Sequence, residues 1–203
     1  MLITFEGLDF SGKSTQIKLL SERLTQKRHD VLVLREPGGT PLGEKIRSIL
    51  LDTQSSGMTA LAEFLLYSAS RSLLVEHVMK PALASGKVVI CDRFYDSSTA
   101  YQGLGRGLPL EVVQRVNRLA STGIVPDVTF FISIPLEKVE QRIAERGEGK
   151  DRLESSGHAF YEQVLNGYLS LAKEEKRFNI IDGTKSIEDI QDVIWKTVSA
   201  IIK

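Results

Sequence analysis

Apolar positions along this chain follow two alternating rhythms. Short β-rich runs at 2–5, 31–34, 88–91, 128–134 and 179–181 read as strands. Between them lie longer stretches whose apolar residues recur every three to four positions, and these predict helices over 13–26, 42–51, 59–84, 110–121, 136–145, 159–174 and 187–202. Pro81 falls inside the third helix and predicts a kink or break there, because proline lacks the N–H that the helix needs. Strands alternating with helices over mostly short connections predict a parallel sheet sandwiched between helical layers. One connection differs. Residues 146–158 are rich in glycine and charge and poor in apolar side chains, which reads as a mobile loop rather than a linker between domains. No internal repeat or low-complexity tract interrupts the pattern.

Composition narrows this picture. With 203 residues and 42% apolar content the chain can bury one substantial core, so a single domain over 1–203 is expected. Lysine plus arginine and aspartate plus glutamate are equal at 26 each, leaving no bulk positive field to hold a nucleic acid or an anionic membrane. Any anion site must then be a local cluster of arginines. No run approaches the about 18 apolar residues of a spanning helix, and no basic segment precedes an apolar stretch as in a signal peptide. The single cysteine, Cys91, sits in the apolar run Val88-Val89-Ile90-Cys91; it has no internal disulfide partner and reads as a buried, inert thiol in a reducing cytoplasm. His29, His77 and His158 show no metal-ligand spacing.

The chemistry starts at Gly7-Leu8-Asp9-Phe10-Ser11-Gly12-Lys13-Ser14, which follows the first strand and opens the first helix. This is the phosphate-loop pattern in the strand–loop–helix setting that it requires. Its glycines let successive N–H groups from Gly7 to Thr15 face a polyphosphate at the helix N-terminus, Lys13 neutralises the outer oxygens, and Ser14 offers a hydroxyl to Mg2+. A nucleoside triphosphate is therefore expected. In an open parallel sheet ligands collect beyond the carboxyl ends of the strands. The residues found there are Glu6, Arg35-Glu36-Pro37-Gly38-Gly39, Asp92-Arg93-Phe94 and Asp182-Gly183. Two of these segments bring an arginine to one edge, suggesting either a second anion held in line for transfer or surface ion pairs. Phe64, Tyr67 and Arg71 share a helical face, which offers either a base-stacking ring beside a cation or ordinary core packing. The segment Asp96-Ser97-Ser98-Thr99-Ala100-Tyr101-Gln102-Gly103 carries hydroxyls and an amide that either read a sugar and base or cap a helix.

Taken together, Phe5-Glu6-Gly7 with the phosphate loop, Arg35-Glu36-Pro37-Gly38-Gly39-Thr40, Leu66-Tyr67-Ser68-Ala69-Ser70-Arg71, Asp92-Arg93-Phe94 and Ala100-Tyr101-Gln102-Gly103 closely resemble bacterial thymidylate kinases. The resemblance runs in order to Asp151-Arg152-Leu153-Glu154 and Ile181-Asp182-Gly183. It implies a three-layer αβα P-loop NTPase fold with a five-stranded parallel sheet and a lid near 146–158. The implied activity is transfer of the ATP γ-phosphoryl group to dTMP, giving dTDP on the way to dTTP, with Mg2+ required and a homodimer as the usual state.

Carried over residue by residue, the resemblance assigns Arg71 and Arg93 to the acceptor phosphate and Asp9 to the neighbourhood of its sugar. Tyr67, where the family commonly has phenylalanine, would stack on thymine. Gln102, Arg71 and Ser98 would meet polar edges of the base, Tyr101 would lie beneath the sugar, and Glu36, Pro37 and Arg47 would complete the pocket. Ser14 and Asp92 are the expected metal ligands. A second departure is Phe10, where the family has glycine or, in another subgroup, arginine. Phenylalanine can neither donate to phosphates nor adopt unusual backbone angles freely, so charge developing in transfer must be met from elsewhere. Arg146, Lys150 and Arg152 of the lid are the candidates, with Arg146 and Arg152 favoured because a guanidinium bridges phosphoryl oxygens better than an ammonium does. Another nucleoside monophosphate kinase is the nearest rival, since one methyl on the base is worth only about 1–3 kcal/mol in an apolar pocket. A GTPase-type switch would need an Asn-Lys-x-Asp segment, whereas the late strand is followed by Asp182-Gly183-Thr184-Lys185.

Overall fold

The computed structural model describes residues 1–55, 57–146, 152–153 and 156–202, with Arg146 described by its backbone alone. Five parallel strands form one sheet: β1 (Leu2–Glu6), β2 (Val31–Arg35), β3 (Val88–Asp92), β4 (Val128–Ser133) and β5 (Phe178–Asp182), in the order β2-β3-β1-β4-β5. This confirms the five-stranded parallel sheet read from the alternation.

All five residues of β1 are buried, as in a central strand covered on both faces. Period-2 alternation then decides what each face carries. Ile3 and Phe5 point into a core made with Ile17, Leu20 and Leu24 of α1 (Lys13–Gln26) and Ile190, Ile194 and Val198 of α9 (Ile187–Ile201). Leu2 points the other way, beside Leu74, Val75 and Met79. The same face near β4 meets Val139 and Ile143 of α7 (Leu136–Arg146) and Phe160, Val164 and Tyr168 of α8 (His158–Glu174). Thr4 shares that face, where its hydroxyl is satisfied at 2.8 Å by the Thr129 hydroxyl. Cys91 is fully buried in the core behind β3, and burial pushes its thiol well above the usual range, in keeping with an inert role.

Helix starts follow capping chemistry. The hydroxyls of Thr40, Thr59 and Ser186 accept from the N–H three residues on, fixing the first turns of α2 (Pro41–Leu51), α3 (Ala60–Leu74) and α9. The predicted helix 59–84 is one run of three pieces: α3, a wide π turn at Val75–Met79, and α4 (Lys80–Ala84) with Pro81 in its first turn. The break expected at Pro81 thus takes the form of a widened turn just before it, which leaves the ring in the one helical turn that needs no N–H. Two elements escaped the sequence reading. Residues 95–105 form α5 (Tyr95–Ser98) and a second wide turn, Thr99–Gly105, ahead of α6 (Leu110–Ala120). Their serine, threonine and glycine content signals caps and turns, but tertiary packing overrides it. A Cβ at Gly105 would come within 2.8 Å of Phe160 and Val164, and one at Gly167 within 3.1 Å of the Ala100 backbone, so small residues let α8 seat directly on this turn.

Candidate active site

Register fixes where the chemistry gathers. Phe5 and Arg35 are both level with Asp92, Glu6 is level with Phe131, and Ser133 with Asp182, so these strands end along one edge. The phosphate loop leaves β1 at this edge. Gly7 has φ +138°, and a Cβ there would lie 2.5 Å from the Ile132 carbonyl oxygen; Gly12, at φ +100°, turns the chain into α1. The loop contributes mainly its backbone, since Leu8 is a core side chain and Ser11 is buried.

A cleft of ≈ 860 Å³ opens over the loop, lined by Asp9, Phe10, Gly12 to Thr15, Arg35, Glu36, Arg47, Asp92, Arg93, Arg142 and Glu145. Lys13 Nζ donates to the carbonyls of Gly7 at 3.1 Å and Leu8 at 2.8 Å. Burial and the nearby Arg93 guanidinium lower its pKa to about 8, so a polyanion placed here would restore its full charge. Ser14 Oγ donates to Asp92 Oδ2 at 3.3 Å, and Asp92 Oδ1 is buried with no hydrogen-bond partner among the described residues. A hydroxyl beside a carboxylate with a spare oxygen suits Mg2+, which takes one or two protein oxygens and completes its shell with water and phosphate.

A second cavity of ≈ 90 Å³ adjoins the cleft, lined by Asp9, Glu36, Pro37, Arg47, Leu51, Tyr67, Arg93, Ser97, Ser98, Tyr101, Gln102 and Leu153. Nine of the ten residues expected at the acceptor are in that lining. Arg93 stands where the two spaces meet. It takes φ +68°, and its guanidinium donates to the Gly7 carbonyl at 2.8 Å and Asp9 Oδ1 at 2.7 Å while lying 5.2 Å over the Tyr101 ring. Burial pushes the Asp9 carboxyl up, but Arg93 and Lys13 outweigh it and hold its pKa below the usual value. Behind Arg93, Glu6 accepts from the Phe94 N–H, Ser97 Oγ and Tyr168 Oη at 2.6–2.8 Å, and burial beside Asp96 raises its pKa to about 7.

The tenth residue, Arg71, is placed differently. It is 1% exposed and donates to Glu36 at 2.8 Å, Asn117 Oδ1 at 2.9 Å, Ser98 Oγ at 3.1 Å and the Phe94 carbonyl at 3.3 Å. In this structure it is a strut behind the cavity wall, not part of its lining. Phe64, on the same predicted face, is fully buried core. Arg35 makes the half-exposed ion pair, with Glu44 at 2.8 Å, that the sequence left open as one alternative.

Two placements bear on how charge is supplied to the loop. Phe10 holds a left-handed backbone at φ +61°, an angle that a phenylalanine does not adopt freely and that the surrounding contacts must support. Its carbonyl accepts from Arg142 Nη1 at 2.5 Å, so an arginine of α7 anchors the strained loop. Arg142 was missed; the available signal was its position one turn before Arg146, hence on the same helix face. Arg152 does not reach the cleft lining: it ion-pairs with Glu63 at 2.5 Å and donates to the Leu50 carbonyl at 2.8 Å. Lys150 and the Arg146 side chain lie outside the described residues.

Comparison with known proteins gives a consistent answer. Residues 5–194 match a family model described as thymidylate kinase. The chain is 46% identical to thymidylate kinase of Fervidobacterium nodosum over the whole of both chains. It is 46% identical to that of Caldanaerobacter subterraneus subsp. tengcongensis, covering 99% of this chain and 96% of that one. The crystal structure of thymidylate kinase from Ehrlichia chaffeensis superposes with a TM-score of 0.80 at 34% identity, covering 98% of each chain. A phosphate loop and an arginine-gated cavity at one sheet edge, in a chain matched along nearly its whole length, place this protein in the thymidylate kinase family.

Proposed function

We propose that the cleft over the phosphate loop takes Mg-ATP and the Arg93 cavity takes dTMP, so that the chain carries out its family's reaction, phosphorylation of dTMP to dTDP. The observation that carries this reading is the junction of the two spaces: Asp9, Glu36, Arg47 and Arg93 line both of them. An acceptor phosphate held there lies beside the end of a triphosphate held by Lys13. Transfer is direct. An oxygen of the dTMP phosphate attacks the γ-phosphorus, the bond to the β–γ bridging oxygen breaks, and ADP leaves with that oxygen.

Positioning and charge neutralisation are most of what phosphoryl transfer asks of a protein. Lys13 and Arg93 supply fixed positive charge from the two sides, with Asp9 holding the Arg93 fork in place. Ser14 and Asp92 would hold the metal, which would supply charge neutralisation at the phosphate oxygens. Arg142, already over the loop at Phe10, meets charge on the transferring group, and Arg146 follows it one turn later. Tyr67 stacks on the base, and Tyr101, 5% exposed, fills the space under the sugar. Among the described residues no helix is long and apolar enough to cross a membrane. A cytoplasmic site of action, supplying the diphosphate for dTTP synthesis, fits the unpaired buried cysteine.

Incubating the protein with Mg-ATP and dTMP, dUMP, UMP, CMP, AMP or GMP in turn, and following ADP, tests the reading. ADP appears strongly with dTMP, with dUMP far behind. Strong activity with UMP, CMP or AMP would overturn the roles of Tyr101 and Gln102. ADP release without an acceptor would overturn the transferase reading.

A further inference from the structure

Beneath the acceptor cavity lies a carboxylate that the transfer step does not use. Glu63, in the first turn of α3, is 1% exposed, yet three donor side chains from two separate segments converge on it. Gln102 Nε2 donates at 2.9 Å, Arg106 Nε and Nη2 at 3.4 Å, and Arg152 Nη1 at 2.5 Å. Gln102 and Leu153 both line the cavity, so this one side chain fastens a polar wall residue and the segment that carries an apolar one.

The consequence lies in the direction of an amide. Glutamine presents a donor on one side and an acceptor on the other, and which one faces a ligand is normally open. Here the buried carboxylate accepts from one N–H of the Gln102 amide, so the amide cannot flip without losing that bond. The carbonyl oxygen Oε1 is then the group left for the cavity. An acceptor presented to a pyrimidine suits a ring that carries N3–H, as thymine and uracil do. Cytosine has a bare N3 and would set lone pair against lone pair, and a site built for one hydrogen-bond pattern rejects the reverse strongly.

We propose that Glu63 is a specificity-positioning residue: by holding the Gln102 amide with its carbonyl toward the cavity, it selects pyrimidine monophosphates with a protonated N3 over cytidine monophosphates. This rests on the reading of the cavity as the acceptor site. Glu63 acts through Gln102 and touches no substrate itself.

The test compares kcat and KM for dTMP and dCMP in the wild type and in Glu63→Gln, Glu63→Asp, Arg152→Met and Gln102→Ala, each checked for folding by thermal unfolding. Glu63→Gln frees the amide to rotate and should lower the dTMP-to-dCMP ratio of kcat/KM by at least ~10-fold, chiefly through KM. Glu63→Asp keeps the carboxylate and should retain more of the ratio. Arg152→Met leaves the Glu63–Gln102 pair intact and should leave the ratio unchanged. Equal losses for both acceptors in Glu63→Gln would mean a merely structural role and overturn the proposal. If Gln102→Ala leaves the ratio unaltered, the acceptor-site reading itself fails, and the proposal with it. A second measurement needs no Glu63 variant: in the wild type the Gln102 side-chain NH2 protons, assigned by their loss in Gln102→Ala, should exchange slowly with solvent both with and without dTMP. Loss of that protection on binding dTMP would show the NH2 turning toward the base and overturn the proposal.

Discussion

Lys13 carries a pH dependence that separates its two states. Burial and the neighbouring Arg93 guanidinium lower its pKa to about 8 in the free protein. Above that pH an incoming triphosphate meets a neutral amine, and below it an ammonium. ATP affinity should therefore fall by about 10-fold between pH 7 and pH 9, with proton uptake on binding over that range, as measured by calorimetry in buffers of differing ionisation heat. An affinity flat across this range would contradict the burial of Lys13. At this scale placement was legible where a residue type meets a strand end, as at Asp92 and Arg93, or a loop pattern, as at Lys13 and Ser14. The depth of Arg71 was not legible, because helical spacing records which residues share a face and not how deep the face lies. Four hydrogen bonds to the wall make Arg71 a support whose removal would leave Glu36 and Asn117 buried without their partner. Arg142 could not be read from the strand ends at all, since it reaches Phe10 across 132 residues of chain.

The strands and long helices were legible as elements because each obeys a single period. The turns at 95–105 were not, because their helical form depends on α8 packing against Ala100 and Gly105 rather than on local preference. The helices also show what remains unsatisfied. Leu42 and Ile49 on α2, Leu61 and Leu65 on α3, and Leu110, Val112 and Leu119 on α6 are each 40–75% exposed. Helices α2 and α3 pack against each other, as do α3 and α6, so these side chains belong to neighbouring elements. Exposed apolar side chains on helices that adjoin one another are ones that association would cover. We infer that a second copy of this chain docks on them, the homodimer that the resemblance to thymidylate kinases implies. Sedimentation should give the mass of two chains, and Leu65→Glu combined with Leu119→Glu should give the mass of one. A wild-type monomer at micromolar concentration would contradict this.

At the scale of the whole molecule, a parallel sheet gathers groups from distant parts of the chain along one edge and leaves them in two adjoining spaces. β1 supplies the phosphate loop and Asp9, the turn after β2 supplies Glu36 and Pro37, and β3 supplies Asp92 and Arg93. Arg93 joins the two, bonded to the loop at Gly7 and lining the smaller cavity. Arg93→Ala is therefore the decisive variant, with ATP binding and dTMP phosphorylation measured separately on the folded protein. Phosphorylation should fall by ~100-fold or more while the Kd for ATP stays within about 3-fold of wild type. An equal loss of ATP affinity would contradict the division into two sites and return Arg93 to the phosphate loop alone.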